Sequence, residues 1–109
     1  MISEKLPAPV QAYFAGKSDN NIDAMLAPFA EDAVVQDEGG EMRGLAEIRE
    51  WMRETIRKYR YTVEITGVEE SAGKTNVTCR LTGTFPGSPV DVNYAFVLNG
   101  AKITSLEIS

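Results

Sequence analysis

Hydrophobic residues recur at helical spacing in the first half of this chain and at every second position in the last half. From about Pro7 to Lys17, prolines suit a first helical turn and Val10, Tyr13 and Phe14 share one face, so the pattern predicts a short amphipathic helix. The polar break Lys17-Ser18-Asp19-Asn20-Asn21 follows, with Asn20 or Asn21 as the cap of a second helix whose stripe is Ile22, Met25, Leu26 and Phe29. Pro28 has no N–H to donate to the carbonyl of Ala24, so this helix should stop or kink there. Ala33 to Asp37 is too short for a helix and carries two β-branched residues, which predicts a brief strand entering a Glu38-Gly39-Gly40 turn. From Gly44 to about Tyr59 the helical period returns: Leu45, Ile48, Met52, Ile56 and Tyr59 fall three or four residues apart.

Beyond Tyr59 the period becomes two. Tyr61, Val63 and Ile65 alternate with Thr62, Glu64 and Thr66, and Val77, Cys79, Leu81 and Phe85 alternate with polar residues. A third strand runs from Val90 to Leu98. Asn99-Gly100, a strong hairpin signal, turns it into a last strand from Lys102 to Ile108. Ser71-Ala72-Gly73 and Pro86-Gly87-Ser88-Pro89 supply the other turns. Three helices therefore precede an antiparallel meander, and an α+β architecture with the helices covering one sheet face is expected.

Composition narrows the chemistry. The 109 residues fit one hydrophobic core, and no linker or internal repeat divides them, so residues 1–109 read as a single domain. The net charge of −5 disfavours nucleic acid as a partner. One basic cluster, Arg53, Arg57, Lys58 and Arg60, is interspersed with Glu50 and Glu54 and reads as a salt-bridged solvent face. The chain contains no histidine, which removes Ser-His and Cys-His nucleophilic chemistry, histidine bases and most zinc sites. The lone Cys79 sits in an alternating apolar run and reads as inert packing. The start MISEKLPAPV lacks a basic leader followed by an apolar run, and no stretch has the length to span a bilayer; a cytoplasmic location without a membrane partner is expected.

The order helix, helix, short strand, helix and four-stranded meander resembles the nuclear transport factor 2-like superfamily, the cone-shaped fold of ketosteroid isomerases and SnoaL-like polyketide cyclases. The segment PFAEDAVVQDEGGEMRGLAEIREWM looks like that superfamily's stretch in which a helix ends, "FA-acid-DA" leads into a strand, and a "G-x-x-x-IR" helix follows. The resemblance runs from about Val10 to the final strand. It implies a cystatin-like, ketosteroid isomerase-like cone: a curved antiparallel (mixed) sheet around three N-terminal helices, enclosing a pocket for a small hydrophobic molecule. It also implies a homodimer formed through the outer sheet face, which here carries Thr78, Arg80, Thr82 and Asn93.

By the same resemblance Asp37 stands where ketosteroid isomerases carry their general base, and Tyr13 matches the tyrosine that donates to the developing enolate. Tyr94 falls at the position of the protonated aspartic acid, which this chain lacks. If the strand is regular, Asp37 shares a side with Val35, and desolvation there would make it a better proton acceptor. Phe14, Leu26, Phe29, Val35, Trp51, Met52 and Phe96 are the expected pocket walls, with Trp51 reading as a wall of pocket or core. The implied chemistry is proton transfer α to a carbonyl (isomerisation, enolisation or aldol-type cyclisation) with no metal and no cofactor.

Each residue has a plainer reading beside this one. Asp37 can serve as a turn-initiating residue that bonds its own backbone, and Tyr13 and Tyr94 as core residues with satisfied hydroxyls. The chain as a whole can be a non-catalytic ligand-binding or dimerisation module. The Arg-x-Asp arrangement of limonene-epoxide hydrolases and the histidines of scytalone dehydratase-like enzymes are both missing.

Overall fold

The computed structural model describes residues 6–37, 39–58, 61–71 and 73–109. Glu38, Tyr59, Arg60 and Ala72, which figure in the expected turns, helix stripe and basic cluster, lie outside the described residues. The elements run α1 (Ala8–Ser18), α2 (Ile22–Leu26), β1 (Phe29–Asp37), β2 (Gly40–Arg43), α3 (Gly44–Lys58), β3 (Tyr61–Ser71), β4 (Lys74–Gly83), β5 (Val90–Asn99) and β6 (Lys102–Ile108). All six strands form one mixed sheet in the order β2-β1-β6-β5-β4-β3. Every pairing is antiparallel except β1 with β6, which is parallel.

The meander from β3 to β6 and the three preceding helices follow the sequence pattern. Two local expectations are corrected. The second helix does not reach Phe29: it ends at Leu26, and β1 begins at Phe29 rather than Ala33. Pro28 is the cause, because it cannot continue the helical ladder, and its carbonyl instead accepts the Ile103 N–H at 2.8 Å. The segment after Asp37 is more than a turn, since Gly40–Arg43 pairs back onto Val34–Asp37 as the edge strand β2. A four-residue, largely exposed strand has no apolar alternation to betray it.

Local chemistry fixes the helix ends. The Asn21 side chain accepts the Ala24 N–H at 3.1 Å and caps α2. At the start of α3 the Glu47 carboxylate accepts the Arg43 N–H at 2.8 Å. On the outer side of α3, Arg53 pairs with Glu50 and Arg57 with Glu54, both exposed i,i+3 pairs, so that face is salt-bridged and solvated. Gly100 adopts φ +62° in the β5–β6 hairpin, a left-handed conformation that suits the Asn-Gly turn.

The core lies between the helices and the sheet. Tyr13 and Phe14 of α1 pack on Tyr94 and Phe96 of β5, with ring centroids 5.3 Å apart for Phe14 and Tyr94 and 5.7 Å for Tyr13 and Phe96, and Val10 is fully buried in the same core. Ile48 and Met52 of α3 are fully buried. Cys79 is buried among these groups, and burial pushes its thiol up to about 12, so it stays neutral as packing. The outer face of the sheet is polar, with an Arg80–Asp91 ion pair at 3.1 Å and an Asn93 to Asn76 hydrogen bond at 3.3 Å.

Helices α1 and α2 meet at Gly16. A Cβ there would lie 2.7 Å from the Met25 backbone nitrogen and 3.0 Å from the Ala24 carbonyl carbon, both main-chain atoms that cannot swing away. Gly16→Ala is therefore expected to lower stability by roughly 1–3 kcal/mol, as overpacked cores do. Urea denaturation measures this, and an unchanged midpoint would mean that the helices do not approach as described.

Candidate functional site

One end of the molecule gathers the C-terminal ends of α1, β1, β4 and β6 and the starts of β3 and β5. A cavity of about 420 Å³ opens there, within the range of small-molecule sites. Its walls are mostly apolar: Leu81, Val90, Val92 and Ile108 from the sheet, and Phe85 and Pro86 from the β4–β5 connection. Its polar groups are few: Asp37 from β1, Lys17 from α1, Tyr61 from β3, Tyr94 from β5, and Trp51 and Thr55 from α3.

Asp37 reaches the cavity because β1 alternates. Ala33 and Val35 are buried on the helix side, and Asp37, two residues further on, points the same way where the core gives out. The Trp51 indole N–H donates to Asp37 Oδ2 at 3.0 Å and fixes the carboxylate at the wall. Trp51 and Thr55 share a helix face with Ile48 and Met52, which brings them to the rim of the cavity while their neighbours fill the core.

Lys17 joins the site although it was not among its expected residues. The signal was present: Lys17 follows Val10 by seven residues and Tyr13 by four, and so falls on the same apolar stripe of α1. Its Nζ donates to the Tyr61 hydroxyl at 2.8 Å and lies 4.9 Å from the centre of that ring. Burial lowers the Lys17 ammonium from 10.5 to about 8, and the charge of Asp37 partly offsets this by pulling it upward. A second, more polar cavity of about 600 Å³ lies beyond, and shares Lys17, Thr55 and Tyr61 with the first.

Tyr94 lines the cavity, and burial raises its phenol well above the usual range, so it is a neutral donor. Tyr13 lies one layer deeper. Its ring is 6.3 Å from that of Tyr94, and its hydroxyl is buried with no hydrogen-bond partner among the described residues. Burial raises this phenol too, with smaller contributions from Tyr61 and Asp37. The expected wall residues divide. Trp51 lines the cavity; Phe14, Val35, Met52 and Phe96 are core residues that support its floor and do not line it. Leu26 and Phe29 border a separate groove beside Arg49 and Lys102. The cause is parity and depth: these side chains occupy the fully packed middle of the helix–sheet interface, whereas the cavity forms where that interface ends.

Helices on one face of a curved mixed sheet, with a largely apolar cavity at the open end, define an α+β cone of the nuclear transport factor 2-like, ketosteroid isomerase-like kind. The profile of the SnoaL-like domain matches residues 10–105, and the chain belongs to that family. A crystal structure from Sinorhizobium meliloti, of a protein provisionally described as a polyketide cyclase, is 36% identical over 100% of both chains with a TM-score of 0.95. Two others share the fold: a Catenulispora acidiphila protein with ketosteroid isomerase-like fold in complex with trimethylamine (23% identity, 96% of this chain and 86% of that one, TM-score 0.81), and TerC co-crystallised with polyporic acid (20%, 93% and 87%, 0.77). No curated protein matches the sequence. No helix among the described residues is long and apolar enough to cross a membrane.

Two outcomes follow from these environments. Removing the unpartnered hydroxyl in Tyr13→Phe is expected to raise stability by about 1–3 kcal/mol, since that is what a buried unsatisfied polar group costs. A loss of more than about 1 kcal/mol in thermal or urea unfolding would show that the hydroxyl has a structural partner. Lys17 binds its proton less tightly when folded, so between pH 8 and 10.5 the unfolded chain carries more protons at this residue and stability rises with pH. The stability of the natural protein relative to Lys17→Met should therefore increase across that window. The comparison cancels Cys79, whose raised thiol acts oppositely from pH 9 upward, and a flat difference would place Lys17 in water.

Proposed function

We propose that the cavity catalyses cofactor-free proton transfer α to the carbonyl of a small hydrophobic molecule, as an isomerase or cyclase does. The observation that carries this is the presence of a fixed carboxylate, Asp37, and a cationic donor, Lys17, in one largely apolar cavity. Asp37 is the base. Its carboxylate takes the α-proton, and negative charge develops on the carbonyl oxygen of the enolate. Donors aimed at that oxygen in a site with little water lower the barrier, and Lys17, Tyr61 and Tyr94 all line the same space. The cationic lysine supplies the electrophilic role that the missing second acid would have filled. Return of the proton from Asp37 to another carbon completes an isomerisation, and attack of the enolate on a second carbonyl completes a cyclisation.

The largely apolar wall supports a hydrophobic substrate, and the similarity to a protein provisionally described as a polyketide cyclase supports a polyketide-like ketone. The test is turnover of β,γ-unsaturated ketones and polyketide-like ketones by the natural protein and by Asp37→Asn. The expected loss is about 10²- to 10⁴-fold in kcat, typical of removing a positioned base. Equal turnover by both proteins, or binding without turnover, would favour a ligand-binding module instead.

A further inference from the structure

We propose that Lys17 is a nucleophile that forms an imine with aldehydes or ketones seated in the cavity. The placement is unusual for a lysine. Most lysines extend into water, but Lys17 lies on the buried stripe of α1 and lines two cavities at once. It takes part in none of the ion pairs found among the described residues; its hydrogen-bond partner is the Tyr61 phenol at 2.8 Å. An ammonium in a largely apolar site held by a phenol is poorly compensated, and loss of its proton relieves that cost. Among the described residues, the titratable and charged groups around it are Tyr61 on β3, Asp37 on β1, Cys79 on β4, Tyr94 on β5 and Arg57 on α3. Burial outweighs the upward pull of Asp37 and Cys79 and leaves Lys17 near 8, so roughly a tenth of the molecules carry the neutral amine at pH 7, against less than a thousandth for an ordinary lysine. Desolvated lysines of this kind act as Schiff-base nucleophiles.

The steps balance without an oxidant, a reductant or a metal. The Lys17 nitrogen lone pair forms a bond to the carbonyl carbon, the C=O π pair moves to oxygen, and that oxygen gains the proton the nitrogen loses, giving a carbinolamine. The Tyr61 phenol, at hydrogen-bond distance from Nζ, is placed to relay this proton. A proton taken up from solvent joins the hydroxyl, the C–O bond breaks as water leaves, and the nitrogen lone pair completes the C=N bond of a protonated imine; the later hydrolysis gives that proton back. The second cavity is lined by the same lysine and offers this water a way out. The iminium then draws electrons from the α-carbon far more strongly than a ketone does. In this step the proposal rests on the reading of Asp37 as base and puts a covalent iminium in place of the ammonium–oxygen hydrogen bond as the electron sink: the carboxylate takes the α-proton to leave an enamine, and reprotonation and hydrolysis by water return the amine and the product. The substrate class is accordingly a hydrophobic aldehyde or unhindered ketone.

The test is reductive trapping with 3-phenylpropanal and sodium cyanoborohydride at pH 7.5, followed by peptide mass mapping. Imine formation predicts that Lys17 acquires the phenylpropyl group at least ten times faster than the exposed Lys74 and Lys102 of the same molecules. Lys17→Arg, checked for native circular dichroism, keeps the positive charge and should lose turnover of the ketones along with the label. Labelling of Lys17 no faster than that of Lys74 would overturn the proposal, as would full turnover by Lys17→Arg. Asp37→Asn separates the two readings. Rapid labelling with lost turnover supports both; rapid labelling with turnover intact leaves the nucleophile standing and removes the base.

Discussion

The packing of α1 against the sheet is the constraint from which the rest of this structure follows. Val10, Tyr13 and Phe14 must leave water, and the core that receives them sets the two rings against Tyr94 and Phe96 on β5. Full burial of each such side chain contributes about 1.5–3 kcal/mol, and each well-placed ring pair adds roughly 0.5–1.5 kcal/mol. That sum exceeds the roughly 1–3 kcal/mol lost by leaving the Tyr13 hydroxyl unpartnered. It also fixes the rotation of the helix about its axis. Once Val10 and Tyr13 face the sheet, Lys17, one turn beyond Tyr13, has no way to face solvent fully and is delivered to the rim of the cavity.

The same logic governs the opposite wall. Burial of Ala33 and Val35 on β1 carries Asp37 inward, and burial of Ile48 and Met52 on α3 carries Trp51 and Thr55 with them. A carboxylate and an ammonium thus meet one apolar space because each extends a hydrophobic stripe past the edge of the packed core. Asp37 accepts an indole N–H and Lys17 donates to a phenol. In a medium of low polarity such charges interact strongly with whatever enters between them, which is the property a proton-transfer site requires.

Much of this was legible in the sequence. The change of period from helical to alternating gave the three helices and the meander, Asn99-Gly100 gave its last hairpin, and the parity of Val35 and Asp37 set the carboxylate on the helix side. What escaped has physical causes. Gly40–Arg43 pairs through its backbone and buries almost nothing, so no hydrophobic pattern announced it. Phe29 fits a helical stripe with Met25 and Leu26, and only the proline between them turns it into the first residue of a strand. The core and cavity walls were confused because apolar spacing reports burial and says nothing of where packing stops; Phe96 and Val92 lie on one face of one strand, yet only Val92 lines the space. Lys17 escaped because a charged residue on an apolar stripe reads as its end.

The pairing of Asp37 with Lys17 across one cavity is most directly tested by NMR titration of the Lys17 side chain, with ¹³C or ¹⁵N labels, in the natural protein and in Asp37→Asn. A midpoint near pH 8 is expected in the first, because desolvation outweighs the nearby carboxylate. In the second it should fall further, since the charge that raises it is gone. A midpoint near 10.5 in both proteins would contradict the shared site.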